Sequence, residues 1–589
     1  MVGMAVSASA QTVSSTVLIE DATNAVFAPS IVSNGTVQVA TFTADNRIQS
    51  SRSVDSGATW SAPIFVDDDV SALGTFKTTG FQSDRPSLYI NGSNVYQIWE
   101  TNRNGQNDLY FARSLDGGLT WEPEIRLDDS QPMGGTGGIR DWCAVVTDNG
   151  AGDSIYVLLT VDPGGPPPAP AFLDEEIYLV SSSDSGATFG SAISASTENG
   201  NADVDSITLA ADGTDVHIAF VDNRAGGTGN DIFYRRSTDG GFSFDFDELQ
   251  IDSSGPLNGS AAFPSIAVRG TTVAVGFAEQ LGATTDQNRV AVSTDGGDTF
   301  AADISFGNFT NNLHDADFLT MRFAANGTLV AAWDDDRNNV GVSDQPFAAV
   351  SFDGGQTWQD DNQLDTAAGG FARIAVGGAC ETAIAWTGND TGSGEEFRAA
   401  ASVDGQIWSA PFTVSANTGD VDFAEISYDA ANDLFVCAWL SDDLALVNDI
   451  YAANFSGDVA GAGFRTTANN PDSYFLGANP ILGGTVTATV DLNTTGHTTA
   501  ILIGFTDQFT FTLAGGQTLL CLDLSGQGEL LTGAGLNPTG VAGGIASFSL
   551  AVPSSLTFNG LKICTQALHV FGVVPFDLSN AQDWVLGTY

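Results

Sequence analysis

Lysine is almost missing from this chain of 589 residues, which carries only Lys77 and Lys562. The 19 Lys and Arg residues face 71 Asp and Glu, for a formal net charge of −52. A surface of that sign repels nucleic acid and anionic lipid, which argues against either as a partner. No run of eighteen apolar residues occurs, so no helical membrane span is expected. Cysteine and histidine are sparse. Cys143, Cys380, Cys437, Cys521 and Cys564 include no Cys-x-x-Cys pair, and His217, His314, His497 and His569 stand singly. A zinc site is therefore not readable. Cys143, Cys380 and Cys437 fall in strand-like apolar runs and read as buried thiols. Cys521 and Cys564 share the C-terminal region and are the candidate disulfide of an exported chain.

Residues 1–10 end in Ala8-Ser9-Ala10 before Gln11 and read as the remnant of a signal peptide, with export to the medium or cell surface the expectation. The charge is unevenly spread. Residues 460–589 hold 7 acidic and 2 basic residues, a net of −5, which leaves −47 for the rest.

What the chain has in abundance is one turn. Ser53-Val-Asp55-Ser-Gly57-Ala-Thr59-Trp60 returns around Asp116, Asp184, Asp239, Asp295 and Asp353, and a copy one residue short surrounds Asp404. The spacing of 51–68 residues signals one supersecondary unit stacked many times. Each residue type has a turn-making reason. Asp and Ser accept hydrogen bonds from amides of the same turn. Gly supplies a left-handed backbone. The aromatic opens the next strand. These seven aspartates read as structural clips, not as a catalytic row.

The motif resembles the Asp box of the sialidase-like (BNR-repeat) β-propellers, and by its spacing the resemblance covers about three quarters of the chain. It implies an all-β propeller. It does not fix the activity, because the repeat is found in sialidases, other glycosidases, sorting receptors and non-catalytic binding proteins. Each box follows three strand-like runs and precedes one, with short β-rich segments broken by Gly, Asn and Asp turns. Three strands follow the last box without a fourth, while Ser15–Glu20 reads as a fourth strand without a blade. Joining the two ends closes the ring and removes an exposed edge. The count is then eight blades, with seven as the alternative. The propeller is assigned to residues 11–457. Residues 458–589 lose the period, alternate as in Thr485–Val490 and Ala546–Ala551, and read as a separate β-sandwich. The segments Asn479-Pro-Ile-Leu-Gly483 and Leu578–Gly587 resemble a C-terminal module of large exported bacterial proteins, for which attachment or sorting is the expected role.

Ligands of propellers meet the face opposite the boxes. Two repeated features map there. Asp84, Asp141, Asp203, Asp205, Asp315, Asp317, Asp420 and Asp422 head the first strands and form a candidate ring for Ca²⁺ or sugar hydroxyls; the alternative is that each caps its own strand. No cofactor is otherwise required. Arginines recur beside carboxylates in a second loop, as in Asp45-Asn-Arg47, Glu100-Thr-Asn-Arg103, Asp222-Asn-Arg224 and Asp334-Asp-Asp-Arg337.

The sialidase resemblance implies three arginines on a sugar carboxylate, a Tyr–Glu nucleophile and an acid/base Asp. Candidates are Arg47, Arg85, Arg140, Arg224 and Arg337, with Glu425 and Tyr428 as the late Tyr/Glu pair. The Phe/Tyr-Arg-Ile-Pro motif of that family is absent, and Asn46-Arg47-Ile48-Gln49 only echoes it. Repetition at one slot favours ion pairs within loops. The favoured reading is an exported recognition or adhesion platform for a glycan or surface polymer. The alternatives are an exo-sialidase-like hydrolase and a structural component of a surface layer or fibre. Whether the chain is an enzyme stays open at this stage, leaning to no, as do its ligand and oligomeric state.

Overall fold

The computed structural model describes residues 13–20, 26–35, 37–68, 76–77, 87–129, 138–150, 152–162, 176–196, 204–223, 230–245, 247–253, 260–282, 285–307, 316–337, 344–377, 381–389, 395–402, 405, 408–415, 420–432, 434–441, 449–456, 461–465, 474–476, 485–493, 497–505, 511–512, 518–519, 538, 540–542, 544–551, 562–570 and 576–585. The chain divides into two compact units. One holds Val13–Ala400 and Pro411–Phe455, and the other holds Ser456–Tyr589.

The first unit is a β-propeller of eight antiparallel sheets. Numbered along the chain, the blades have inner strands Val26–Ser33, Leu88–Asn91, Gly138–Asp148, Val204–Asp212, Ala261–Arg269, Ala316–Phe323, Ala368–Val376 and Val421–Asp429. In the second blade the short strand Phe76–Lys77 also pairs with Asn94–Thr101. The eighth blade takes its outer strand from the other end of the chain, with Val17–Glu20 pairing antiparallel to Asp449–Ser456. The ring is thus closed by a sheet made from both ends, and eight is the blade count.

The core lies between blades. Ile98, Phe111, Leu127, Trp142 and Leu159 join the second blade to the third, and Val290, Leu319, Trp333 and Phe347 join the fifth to the sixth. A fully buried aromatic recurs on second strands at Phe42, Trp99, Phe220, Phe277, Trp333, Trp386 and Trp439. Burying such rings is the main stabilising term of a fold whose blades cannot cover their own faces.

The boxes clip the turns between third and fourth strands. Thr59 donates through N–H to Asp55 Oδ1 at 2.8 Å and through Oγ1 to Asp55 Oδ2 at 2.6 Å, while Gly57 N–H donates to Ser53 Oγ at 2.9 Å. The same bonds return around Asp116, Asp184, Asp239, Asp295 and Asp353. Hydrogen bonds from Thr299 and Ser293 hold the Asp295 carboxyl down at about 2. Asp404 lies outside the described residues, but Gly405 N–H still donates to Ser402 Oγ at 2.8 Å.

Box glycines also set the distance between blades. At Gly297, φ is +91° and an added Cβ would stand 1.9 Å from the Tyr234 hydroxyl. That hydroxyl is held at 2.7 Å by His217 Nδ1 in a buried site. Gly297→Ala is expected to cost about 3 kcal/mol, from backbone strain and overpacking together. A fall in the urea midpoint at unchanged slope measures it.

The second unit is a β-sandwich. One sheet orders Gly461–Arg465, Phe576–Val585, Lys562–Val570 and Thr499–Phe505; the other orders Tyr474–Leu476, Thr485–Asp491, Ile545–Ala551 and Gly540–Ala542. Val490, Leu502, Phe548 and Ala567 are buried between them. His569 is fully buried, with its ring edge-on to His497. Cys521 lies outside the described residues and Cys564 is described by its backbone alone, so the proposed disulfide falls outside the described side chains. Cys143 and Cys437 are buried, Cys380 lies outside the described residues, and burial pushes the Cys437 thiol well up. Among the described residues, no helix is long and apolar enough to cross a membrane.

Candidate functional site

Antiparallel order places the boxes at the ends where inner strands finish. The opposite face is where inner strands begin. Between the two faces, inner strands line a central channel. A cavity of about 560 Å³ is bounded by the later parts of the inner strands of blades one, two, three, seven and eight, together with Arg322 of the sixth. A second, of about 350 Å³, is bounded by blades two to six.

The inner strands enter the channel through a β-bulge. In blades four to eight, the residue after the last regular pair has a left-handed backbone: Ser206, Phe263, Phe318, Phe371 and Phe423, at φ of +46° to +59°. The next paired residue is Ser265 in the fifth blade and Thr320 in the sixth. In the seventh and eighth blades the slot holds Arg373 and Glu425, which form an ion pair at 3.6 Å. The repeat is therefore broken inside the channel, where two small hydroxyl residues give way to a charged pair.

Among the described residues, Arg47, Arg103 and Arg337 do not gather there. Arg47 pairs with Asp67 and lies over Phe65, 4.1 Å from its centroid, all within the first blade. Arg103 pairs with Glu124 and lies over Tyr110 in the second blade. Arg337 bonds Asp335 and Asp361, each at 2.5 Å, and lies over Phe347 in the sixth blade. Arg140 is exposed on the third blade's inner strand. Arg85 and Arg224 lie outside the described residues. Glu425 and Tyr428 both border the larger cavity. They are three residues apart on one strand, and strand alternation sends them to opposite faces. Glu425 meets Arg373, while the Tyr428 ring packs on Phe435.

Of the acidic ring, Asp84, Asp203 and Asp315 lie outside the described residues, and Asp205 and Asp422 are described by backbone alone. Asp141 Oδ1 accepts the Trp142 N–H at 2.8 Å. Asp420 Oδ1 accepts the Glu395 N–H at 2.8 Å. Asp317 is half-buried beside the bulge of the sixth blade. Among the described residues, no group of three or more His, Cys, Asp or Glu stands close enough to hold a metal ion.

One carboxylate escaped sequence reasoning. Asp334 sits opposite Asp317 on the sixth blade's second strand, 2% exposed. Strand register gives the same slot to Thr43, Val221, Ala278, Thr387 and Leu440 elsewhere. Its Oδ2 accepts the N–H of Phe371, across the blade boundary, at 2.6 Å. Burial raises its pKa to about 8, against the hydrogen bonds that it accepts from the Phe371 and Ala372 amides and with help from Asp344 and Asp317. The signal was present in Trp333-Asp-Asp-Asp-Arg337, but a run of three acids does not say which one points inward.

Fold and repeat together define the class: a β-propeller built on the Asp-box repeat. The BNR/Asp-box repeat model matches residues 349–360, the sixth box. No curated protein matches the chain. Among solved structures, a protein of unknown function from Dyadobacter fermentans is similar at 14% identity, over 75% of this chain and 97% of that one, with a TM-score of 0.37. A Trypanosoma rangeli sialidase with 2,3-difluorosialic acid is 12% identical over 100% and 94%, with a TM-score of 0.35. An ulvan lyase, described as a new polysaccharide lyase family, is 13% identical over 64% and 93%, with a TM-score of 0.39.

Proposed function

We propose that the propeller is a non-catalytic recognition platform for a glycan on the face opposite the boxes, in an exported protein whose C-terminal sandwich serves attachment. The observation that carries this reading is the placement of Arg47, Arg103 and Arg337. Each guanidinium is neutralised by a carboxylate of its own blade and covered by an aromatic ring of the same blade. Such arginines staple loops; they do not converge on a sugar carboxylate. The separation of Glu425 from Tyr428 across a strand supports the same reading. The sialidase-like repeat makes a sugar the favoured ligand, and Ca²⁺ bound by the acidic ring is a compatible addition.

A fluorogenic sialoside and a glycan array test the reading together. The expected result is no turnover and retained glycan binding. Sialoside turnover abolished by Glu425→Gln would overturn it in favour of a hydrolase.

A further inference from the structure

We propose that Phe263, Phe318, Phe371 and Phe423 form a stacking strip for a glycan that carries protonated amino sugars. The proposal rests on the recognition reading and names its ligand class. The four phenylalanines occupy one slot in four consecutive blades, at the start of the inner strands. Their φ values of +50°, +54°, +59° and +46° are strained for bulky side chains. The bulge itself does not call for phenylalanine, because Ser206 makes the same turn in the fourth blade. Bulges re-aim side chains. Here the rings of Phe263 and Phe318 lie 5.1 Å apart and those of Phe318 and Phe371 5.2 Å apart, an apolar surface running across three blades. Phe371 and Phe423 are 52% and 48% exposed. Phe263 and Phe318 are half-buried, and the exposed Phe371 extends them into an apolar patch of the kind that marks a contact site, while the Asp334 carboxyl fixes the Phe371 backbone beneath it.

Charge selects the occupant. The chain carries −52, and Asp317 and Asp420 stand at the heads of the sixth and eighth inner strands. Four arginines of blades five to seven are paired with carboxylates: Arg289 with Glu279 and Asp303, Arg337 with Asp335 and Asp361, Arg373 with Glu425, and Arg398 with Asp365 and Glu396. The field over the strip therefore repels acidic sugars and attracts ammonium groups. Aromatic faces carry negative quadrupole charge and hold both cations and the C–H faces of pyranose rings. Phenylalanine offers no hydrogen bond, so the strip discriminates by charge and shape, not by hydroxyl pattern.

The full chain is titrated by calorimetry with glucosamine oligomers, their N-acetylated counterparts, a sialylated oligosaccharide and a lysine peptide. The expected result is preferential binding of the glucosamine oligomer, weakened roughly tenfold or more in the Phe371→Gly/Phe423→Gly variant. Glycine suits those φ values, so the variant keeps its fold, which circular dichroism checks. Phe242→Gly, at an exposed ring on the box face, should bind as the wild type does. Binding unchanged in the double variant, equal binding of the acetylated oligomer, or peptide binding with the same dependence on the two phenylalanines each overturns the strip while leaving the recognition reading. If no glycan binds at all, that reading falls with it.

Discussion

Removing residues up to Glu20 is expected to destabilise the propeller by roughly 5 kcal/mol and to make it associate. The deleted strand is the outer strand of the eighth blade. Ile19 is buried with Ile31, Phe42, Val436, Leu440 and Ile450, so its loss leaves a cavity between the last blade and the first. That alone costs about 2–5 kcal/mol. The main-chain pairing goes with it: Val17 opposite Ala452, Leu18 opposite Tyr451 and Glu20 opposite Ile450, together with Ser14 N–H donating to the Asn454 carbonyl at 2.8 Å. The remaining ties between the last blade and the first are the packing of Ile31 and Phe42 with Val436 and Leu440, and side-chain bonds such as Ser33 Oγ to Asp429 Oδ2 at 2.7 Å and Asn454 Nδ2 to the Ser56 carbonyl at 2.7 Å. They do not cover Asp449–Ser456, which becomes an unpaired edge open to a second chain. Urea unfolding with light scattering measures both effects. An unchanged midpoint and no association would show that the strand does not latch the ring. Ile19→Ala alone should reproduce the cavity cost without exposing the edge.

Asp334→Asn is expected to flatten the fall of stability with rising pH. The sign follows from the direction of the shifts. Asp67, Asp252 and Asp334 are raised by burial to about 6, about 7 and about 8. A carboxyl raised in the folded state binds its proton more tightly there than when unfolded. Its contribution is complete below the unfolded value near 4 and is lost as pH climbs through the folded value. The wild type should therefore lose stability between about pH 4 and 8. For Asp334 the distance from 3.8 to about 8 sets an upper limit of roughly 6 kcal/mol. The asparagine keeps a carbonyl acceptor for the Phe371 amide and has no charge to desolvate. Asp334→Ala strands that amide at every pH, at about 1–3 kcal/mol, and leaves a uniformly weaker protein. Melting curves across the pH range separate the three. A wild type and Asp334→Asn with parallel pH profiles would show that Asp334 is not the buried acid described here. At the acid end the boxes act with the opposite sign. Their hydrogen bonds lower Asp116, Asp184, Asp239 and Asp295, so their support is present above pH about 4 and fades as pH falls toward 2.

Much of the fold was legible because the box is local. Ser, Asp, Gly and Thr within eight residues make the bonds that define the turn to one another, so sequence alone fixes each turn and, by repetition, the architecture. The orphan strand at each end announced the closure, since an edge strand needs a partner wherever it lies in the chain. The mouth of the channel was not legible for the opposite reason. Asp334 is buried by Phe371, Phe318 becomes part of a strip by meeting Phe263 and Phe371, and Arg373 meets Glu425 only because two blades stand side by side.

Composition and repeat thus determined an acidic, all-β ring of Asp-box blades with a sandwich behind it in sequence. The tertiary structure alone decided which arginines are spent within their own blades, which carboxyl is forced toward its neutral form, and which aromatic rings face outward. Those properties depend on distances across blade boundaries, between residues some forty to sixty positions apart. Desolvation and Coulomb energies are set by those distances and not by spacing along the chain.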